Sequence, residues 1–190
     1  MRSTTHDHSR RNLEAKVHAT EVRHREVRAR LITLGARLTT LRQVDTYLVV
    51  PHGRLKLRES IPSDGPPSAE LIAYHRPDAL DTRWSTYHRV PIDASHAQAL
   101  AAALTAALGC RGVVDKERTF ATLGRTRVHL DRVSGLGEFI ELETVTGDDD
   151  AASAAAELAA VASSLGITLT EADLIAGSYS NLLATADDTP

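Results

Sequence analysis

The sequence predicts an α+β chain of about eight mostly antiparallel strands with a few flanking helices. Two kinds of observation lead there. Many short segments alternate polar and apolar residues with period two and are bounded by Gly, Pro, Asp or Ser turn signals. A smaller number of longer segments space their apolar residues three or four apart and close on glycine. The size suits one domain: 190 residues, 42% hydrophobic and 25% charged, with no internal repeat and no linker-like stretch.

Residues 1–10 read as a mobile tail, in which His6 and His8 belong to a solvated terminus. Residues 11–184 form the domain, and 185–190 fray. RNLEAKVHA is the first strand. A helix follows from Thr20, a good N-cap, to Leu34, with Gly35 as the C′ glycine. QVDTYLVV and RLKLRES are strands joined at Pro51-His52-Gly53. IPSDGPPSA is a loop, and ELIAYHR is a strand stopped by Pro77. Residues 78–86 read as a polar loop anchored by Trp84, and STYHRVPI as the next strand. His75 and His88 read as packing or rim residues. Asp93 caps a helix with a stripe of Leu100, Leu104 and Leu108, closed by Gly109. GVVDKERTFAT is a strand. TRVHLDRV and EFIELETV form a hairpin around Ser134-Gly135-Leu136-Gly137. A third helix starts in the acidic run Asp148–Asp150, carries Leu158, Val161 and Leu165, and ends at Gly166. A last short helix starts at Thr170.

The formal net charge is −3, so anion binding must come from a local cluster of cations. The one cysteine, Cys110, forms no intramolecular disulfide and reads as a small, at least half-buried residue after a helix. The N-terminal stretch has no apolar h-region, and no run of 18 apolar residues exists. Neither a signal peptide nor a membrane span is expected, and a cytoplasmic location follows.

Strand parity carries the functional signal. Residues two apart share a face. Asn12, Glu14, Lys16 and His18 oppose Leu13, Ala15 and Val17; Arg54, Lys56 and Arg58 oppose Leu55 and Leu57. Tyr74 and Arg76 share a face, as do Lys116 and Arg118. Arg125, Arg127, His129 and Asp131 oppose Val128 and Leu130, and Glu141 and Glu143 oppose Ile140 and Leu142. A half-exposed sheet, or one that binds nucleic acid, also alternates. Here, though, the polar face is almost wholly ionisable and its signs are sorted, with cations on the middle strands and carboxylates at the ends. Cations grip phosphate oxygens, and carboxylates hold the divalent metal that bridges them. A nucleic-acid surface has no use for Glu14, Asp131, Glu141 and Glu143 among its basic residues. The reading is a barrel turned inside out, apolar outside under helices and charged within.

These residues also resemble a family. Leu13-Glu14-Ala15-Lys16 is similar to the first strand, Glu-x-Glu-x-Lys, of the CYTH (triphosphate tunnel) family. Gln43-Val44-Asp45-Thr46-Tyr47 with Gly53-Arg54-Leu55-Lys56-Leu57-Arg58-Glu59 resembles its second and third strands, and Leu71 to Asp78 its fourth. Lys116-x-Arg118, Arg127 to Asp131 and Gly135 to Glu143 continue the order, and Ser178 to Leu183 resembles the closing helix. The GRLKLRE and GLGEFIELE stretches resemble the class IV adenylate cyclase branch.

The resemblance implies an eight-stranded antiparallel tunnel, a nucleotide or other organic triphosphate substrate, and Mg²⁺ or Mn²⁺. Glu14, Asp131, Glu141 and Glu143 would be metal ligands, with Asp131 a ligand or general base. Lys16, Lys56, Arg58, Arg76, Lys116, Arg118 and Arg127 would grip the phosphates, and Lys16, Arg118 and Asp131 would form the catalytic set. Arg54 and Arg125 match less closely, as rim residues. The reaction implied is cyclisation of ATP to cyclic AMP and pyrophosphate, or triphosphate hydrolysis. The alternative is a non-catalytic triphosphate sensor, motivated by Asn12 where the family usually has its first Glu. A homodimer is common for such folds; membrane and nucleic-acid partners are not expected.

Overall fold

The computed structural model describes residues 10–75, 83–146, 151–170, 173–175 and 178–187. Its strands are β1 (Arg10–Ala19), β2 (Thr39–Leu48), β3 (Arg54–Pro62), β4 (Ser68–His75), β5 (Arg83–Ile92), β6 (Cys110–Leu123), β7 (Thr126–Val133) and β8 (Gly137–Thr146). All pairings are antiparallel, and the strands close into a barrel in the order β1-β5-β4-β3-β2-β6-β7-β8. The expected eight-stranded α+β barrel is therefore what the chain forms. Two meanders, β2 to β5 and β6 to β8, build most of the wall. β1 closes the ring, pairing β8 along Arg11–Ala19 and β5 along Arg10–Glu14. Beyond that stretch, the backbone of Leu174 and Ile175 bonds to β1 at Val17 and Lys16.

The helices are α1 (Glu21–Thr33), α2 (Ala97–Leu108), α3 (Ala151–Ser164) and α4 (Tyr179–Asp187). Thr20 caps α1, its hydroxyl accepting from the Arg23 N–H at 3.2 Å, and Gly35 leaves the helix at φ 74°. Asp93 caps a short 3₁₀ turn that leads into α2. The apolar core lies outside the barrel wall. Leu13, Ala15, Val128, Leu130, Ile140 and Leu142 pack against Val27 and Leu31 of α1 and Ala154, Leu158 and Ala162 of α3. A smaller outer cluster joins Leu57 and Ala69 to Ala97 at the start of α2. This is the inside-out arrangement that strand parity predicts.

Some local expectations need correction. β5 begins at Arg83, so Trp84 lies on a strand and not in a loop; its backbone is recruited by long-range pairing with Leu13 of β1. The last helix begins at Tyr179, not at Thr170. Thr170 instead closes a turn, its carbonyl accepting from the N–H groups of Asp173 and Leu174. In α2 the apolar stripe does not extend to Leu108, which is 39% exposed. Cys110 is exposed at the start of β6. His6, His8, Arg76 and the Asp148–Asp150 run lie outside the described residues. Among the described residues, no helix is long and apolar enough to cross a membrane.

Candidate functional site

The inward faces of the eight strands enclose a cavity of about 420 Å³. Its lining is largely ionisable. Asn12, Glu14 and Lys16 come from β1, Asp45 from β2, Lys56 and Arg58 from β3, and Lys116 and Arg118 from β6. Arg127 and His129 come from β7, and Glu141 and Glu143 from β8. Every described cation and carboxylate singled out for the tunnel lines this cavity, except Asp131, which is wholly buried beneath Lys116, Arg118 and Tyr179, and the less closely matching Arg54 and Arg125. Arg125 instead turns outward, pairing with Glu157 of α3 at 2.7 Å, and Arg54 lies 5.8 Å from the Tyr74 ring centre.

One end of the tunnel is closed by an apolar and aromatic layer: Tyr47, Tyr74, Val114, Val133, Phe139 and, from α4, Tyr179. Tyr179 contacts the charged residues directly. Its hydroxyl donates to Asp131 at 2.9 Å, and the ammonium groups of Lys16 and Lys116 lie 4.0 and 4.9 Å from its ring centre. Such cation–π contacts stabilise a desolvated ammonium without cancelling its charge.

Above this floor the cations are tied to carboxylates. Arg118 donates from Nε and Nη2 to the two oxygens of Asp131, both at 2.6 Å, and Lys116 adds a contact at 3.2 Å. Arg58 meets Asp45 in the same way at 2.7 Å on both oxygens, with Lys56 at 2.8 Å. Glu141 lies 3.0 Å from Arg118 and 3.4 Å from Lys16, its register partner on β1. Burial pushes the carboxyls of Asp45 and Asp131 up. The adjacent cations (Arg58 and Lys56 for Asp45, Arg118 and Lys116 for Asp131) outweigh burial and hold both below the usual carboxylate range. Glu141 is held down likewise, burial being overcome chiefly by Lys16. The lysines move the other way for an ammonium. Burial, then Arg58, lowers Lys56 to about 7; burial, then Arg118, lowers Lys116 to about 8. Burial and Arg118 also lower His129, so its imidazole is neutral where it lies 3.5 Å from Glu141 and 3.8 Å from Glu143.

Toward the other end, Asn12 and Glu14 share a face of β1, and Glu143 faces Glu14 in register on β8. Two carboxylates facing each other across a strand pair repel. They are held by neighbours: the Tyr87 hydroxyl donates to Glu14, the Asn12 amide donates to Glu143, and Arg127 lies 3.6 Å from Glu143. The Asn12 carbonyl oxygen is buried without a hydrogen-bond partner. Among the described residues, no three His, Cys, Asp or Glu side chains converge as a metal site by themselves. The donor set here is two carboxylates and an unsatisfied amide oxygen, all hard ligands. Mg²⁺ is commonly held by one or two carboxylates, with phosphate oxygens and water completing its shell. The residues present therefore fit Mg²⁺ or Mn²⁺ at the Asn12–Glu14–Glu143 end of the tunnel.

Sequence reasoning did not find Asp45, Tyr87 or Tyr179 as site residues. Asp45 stood within the quoted QVDTY stretch, and its alternation with Gln43 and Tyr47 on β2 was the available signal. Tyr87 alternates with Arg89 on the STYHRVPI strand, and that period-two spacing was its available signal, whereas Tyr179 reaches the tunnel through helix docking, for which the spacing of residues carries no sign.

The comparisons agree with this geometry. A Pyrococcus horikoshii protein superposes with a TM-score of 0.71 at 21% identity, covering 90% of this chain and 98% of that one. A candidate adenylate cyclase from Vibrio parahaemolyticus gives 0.64 at 19%, covering 91% and 97%. A candidate adenylyl cyclase from Hippeastrum, described as having a dominant triphosphatase activity, gives 0.67 at 13%, covering 95% and 98%. These likenesses concern the fold. The chain matches none of the curated proteins by sequence. The family model for the CYTH domain matches residues 10–179, and the chain belongs to the CYTH domain family.

Proposed function

We propose that the tunnel binds a nucleotide or other organic triphosphate with Mg²⁺ or Mn²⁺ and carries out phosphoryl transfer on it, by hydrolysis or by cyclisation. The observation that carries this reading is the pair of Lys-x-Arg clamps, Lys56 with the half-buried Arg58 and the buried Lys116 with Arg118, on inward faces of one closed tunnel. A linear polyanion is the ligand that such paired cations suit.

In this reading Lys16, Lys56, Arg58, Lys116, Arg118 and Arg127 hold the phosphate oxygens. Arg76, outside the described residues, joins them by family resemblance. Glu14 and Glu143, with the Asn12 carbonyl, hold the metal, and Glu141 takes part through Lys16 and Arg118. When bound, the metal supplies charge neutralisation at the phosphoryl oxygens. The chain itself supplies positioning and a fixed set of cations paired with carboxylates on the inner wall. Asp131 takes the role of orienting Arg118, Lys116 and Tyr179. Its oxygens are already engaged by four donor groups from three side chains and its carboxyl is held ionised, which leaves it little affinity for a further proton. A cytoplasmic location and a single domain over residues 11–184 accompany this proposal.

Asn12 favours one second reading, a protein that binds a triphosphate without turning it over, because an amide replaces a charged ligand. One experiment separates the readings. The protein is incubated with ATP, GTP or tripolyphosphate and either metal, and products are identified by mass spectrometry. Cyclic nucleotide with pyrophosphate marks a cyclase, and orthophosphate release marks a triphosphatase. Binding by calorimetry with no product marks the sensor. Absence of both binding and turnover with all three sinks the triphosphate reading.

A further inference from the structure

Two hairpins of the barrel carry the same constellation. On β2 and β3, Asp45 faces Arg58 in register; on β7 and β6, Asp131 faces Arg118 in register. In both, the guanidinium meets the carboxylate through Nε and Nη2, and the lysine two residues earlier adds a third contact. A tyrosine hydroxyl completes each group: that of Tyr47 is 3.5 Å from Lys56 Nζ, and that of Tyr179 is 2.9 Å from Asp131. Asp45 is 1% exposed and Asp131 fully buried. Asp131 belongs to the family-implied set. Asp45 does not, yet it meets a Lys-x-Arg pair in the same way.

We propose that Asp45 is a positioning residue of the triphosphate grip, keeping the Lys56 ammonium charged and the Arg58 guanidinium oriented toward the tunnel. This inference rests on the reading of the tunnel as a triphosphate site. Simple charge counting predicts the reverse, since removing an anion from an anion site should tighten binding. The local arrangement decides against charge counting. Lys56 faces Arg58 on its own strand, Lys116 on β6, Tyr47 and Asp45 on β2, and Tyr74 on β4. Burial and the two neighbouring cations disfavour its charge, and Asp45 is the group that resists them. Without Asp45 the ammonium loses its proton first, so the site loses one negative and one positive charge together. The planar guanidinium of Arg58 also loses the carboxylate that fixes its Nε–Nη2 edge, leaving its remaining donors free to rotate away from a phosphate.

The test is calorimetric titration of tripolyphosphate with Mg²⁺ into wild type, Asp45→Asn and Asp45→Glu between pH 6 and 9. Asp45→Asn should weaken binding at least tenfold at pH 7.5, and its affinity should start to fall at a lower pH than that of wild type. Asp45→Glu should restore part of the affinity and most of the pH profile. A purely structural role would lower the melting temperature and leave the shape of the pH profile unchanged. Binding by Asp45→Asn as tight as or tighter than wild type overturns the proposal. Should Asp45→Asn fail to fold, Asp45→Asn in the Lys56→Met background keeps the interior charge balanced. It should bind at least tenfold more weakly than Lys56→Met alone, and equal or tighter binding overturns the proposal. If wild type itself does not bind tripolyphosphate, the reading of the tunnel fails and this inference falls with it. Wild-type binding with an insensitive Asp45 sinks only the inference.

Discussion

Lys56 is 8% exposed and sits between an arginine and a second lysine, and burial and both cations disfavour its charge. That arrangement has a measurable consequence. With Lys56 lowered to about 7 and Lys116 to about 8, the free tunnel is partly deprotonated at pH 8. Phosphate oxygens brought beside these amines favour their charged forms and raise them again. Triphosphate binding at pH 8 should therefore take up protons, and the uptake should vanish near pH 6, where both amines are already charged. Titrations in buffers of different ionisation enthalpy read this directly; proton release at pH 8 would contradict it. A second prediction concerns the proposed metal end. Glu143→Gln should lower metal-dependent turnover about 10²- to 10³-fold, the scale of removing one preorganised electrostatic contact. Steady-state rates in Mg²⁺ and Mn²⁺ check it, and unchanged rates would move the metal elsewhere. At this scale much of the lining was legible. Lys16, Lys56, Arg58, Lys116, Arg118 and Arg127 face inward because a strand has period two, which their spacing reveals. The partner of each cation was not legible. Whether Asp45 meets Arg58 depends on the register of β2 against β3, and Tyr179 meets Asp131 only once α4 docks.

The elements differ in how far local rules define them. α1 was legible at both ends because Thr20 and Gly35 act through their own backbone neighbours. β5 and α4 were misplaced at their starts because long-range contacts decide them: β1 recruits Arg83 and Trp84 into a strand, and the barrel floor seats Tyr179. The same distinction separates two mutations. Thr20→Ala removes a local cap on the outer surface. It should cost about 1 kcal/mol, or about 2–4 °C of melting temperature for a chain of this size, with triphosphate affinity unchanged. Leu142→Ala empties a fully buried site where β8 meets α1 and α3. It should cost about 2–5 kcal/mol, the range for large-to-small core changes. Thermal scans of both variants measure the contrast. A surface-like cost for Leu142→Ala would mean that the outer face of β8 is not core.

For the whole molecule, the inverted barrel means that stability depends on how the interior titrates. The carboxyls of Asp45, Asp131 and Glu141 are lowered in the folded state. Their contribution to stability is present above about pH 4, the unfolded range, and is lost as pH falls through their folded values. The lysines act with the opposite consequence. An unfolded lysine titrates near 10.4, whereas folded Lys56 and Lys116 titrate at about 7 and about 8. Between these limits the unfolded chain binds more protons than the folded one, so stability should rise as pH increases from about 7 to about 9.5. Above that, the buried Tyr47 and Tyr179, both raised, begin to oppose it. A saturating polyphosphate should remove the alkaline rise, because lysines held by phosphate stay protonated in the folded state. It should also raise the whole curve, by about 2.7 kcal/mol at a ligand concentration a hundredfold above Kd. Thermal unfolding from pH 3 to 10, with and without tripolyphosphate and Mg²⁺, measures these effects. A melting temperature that falls between pH 7 and 9.5 in the free protein would mean that the buried ammonium groups stabilise the empty barrel. The interior would then be a structural ion-pair network rather than a cradle held ready for an anion.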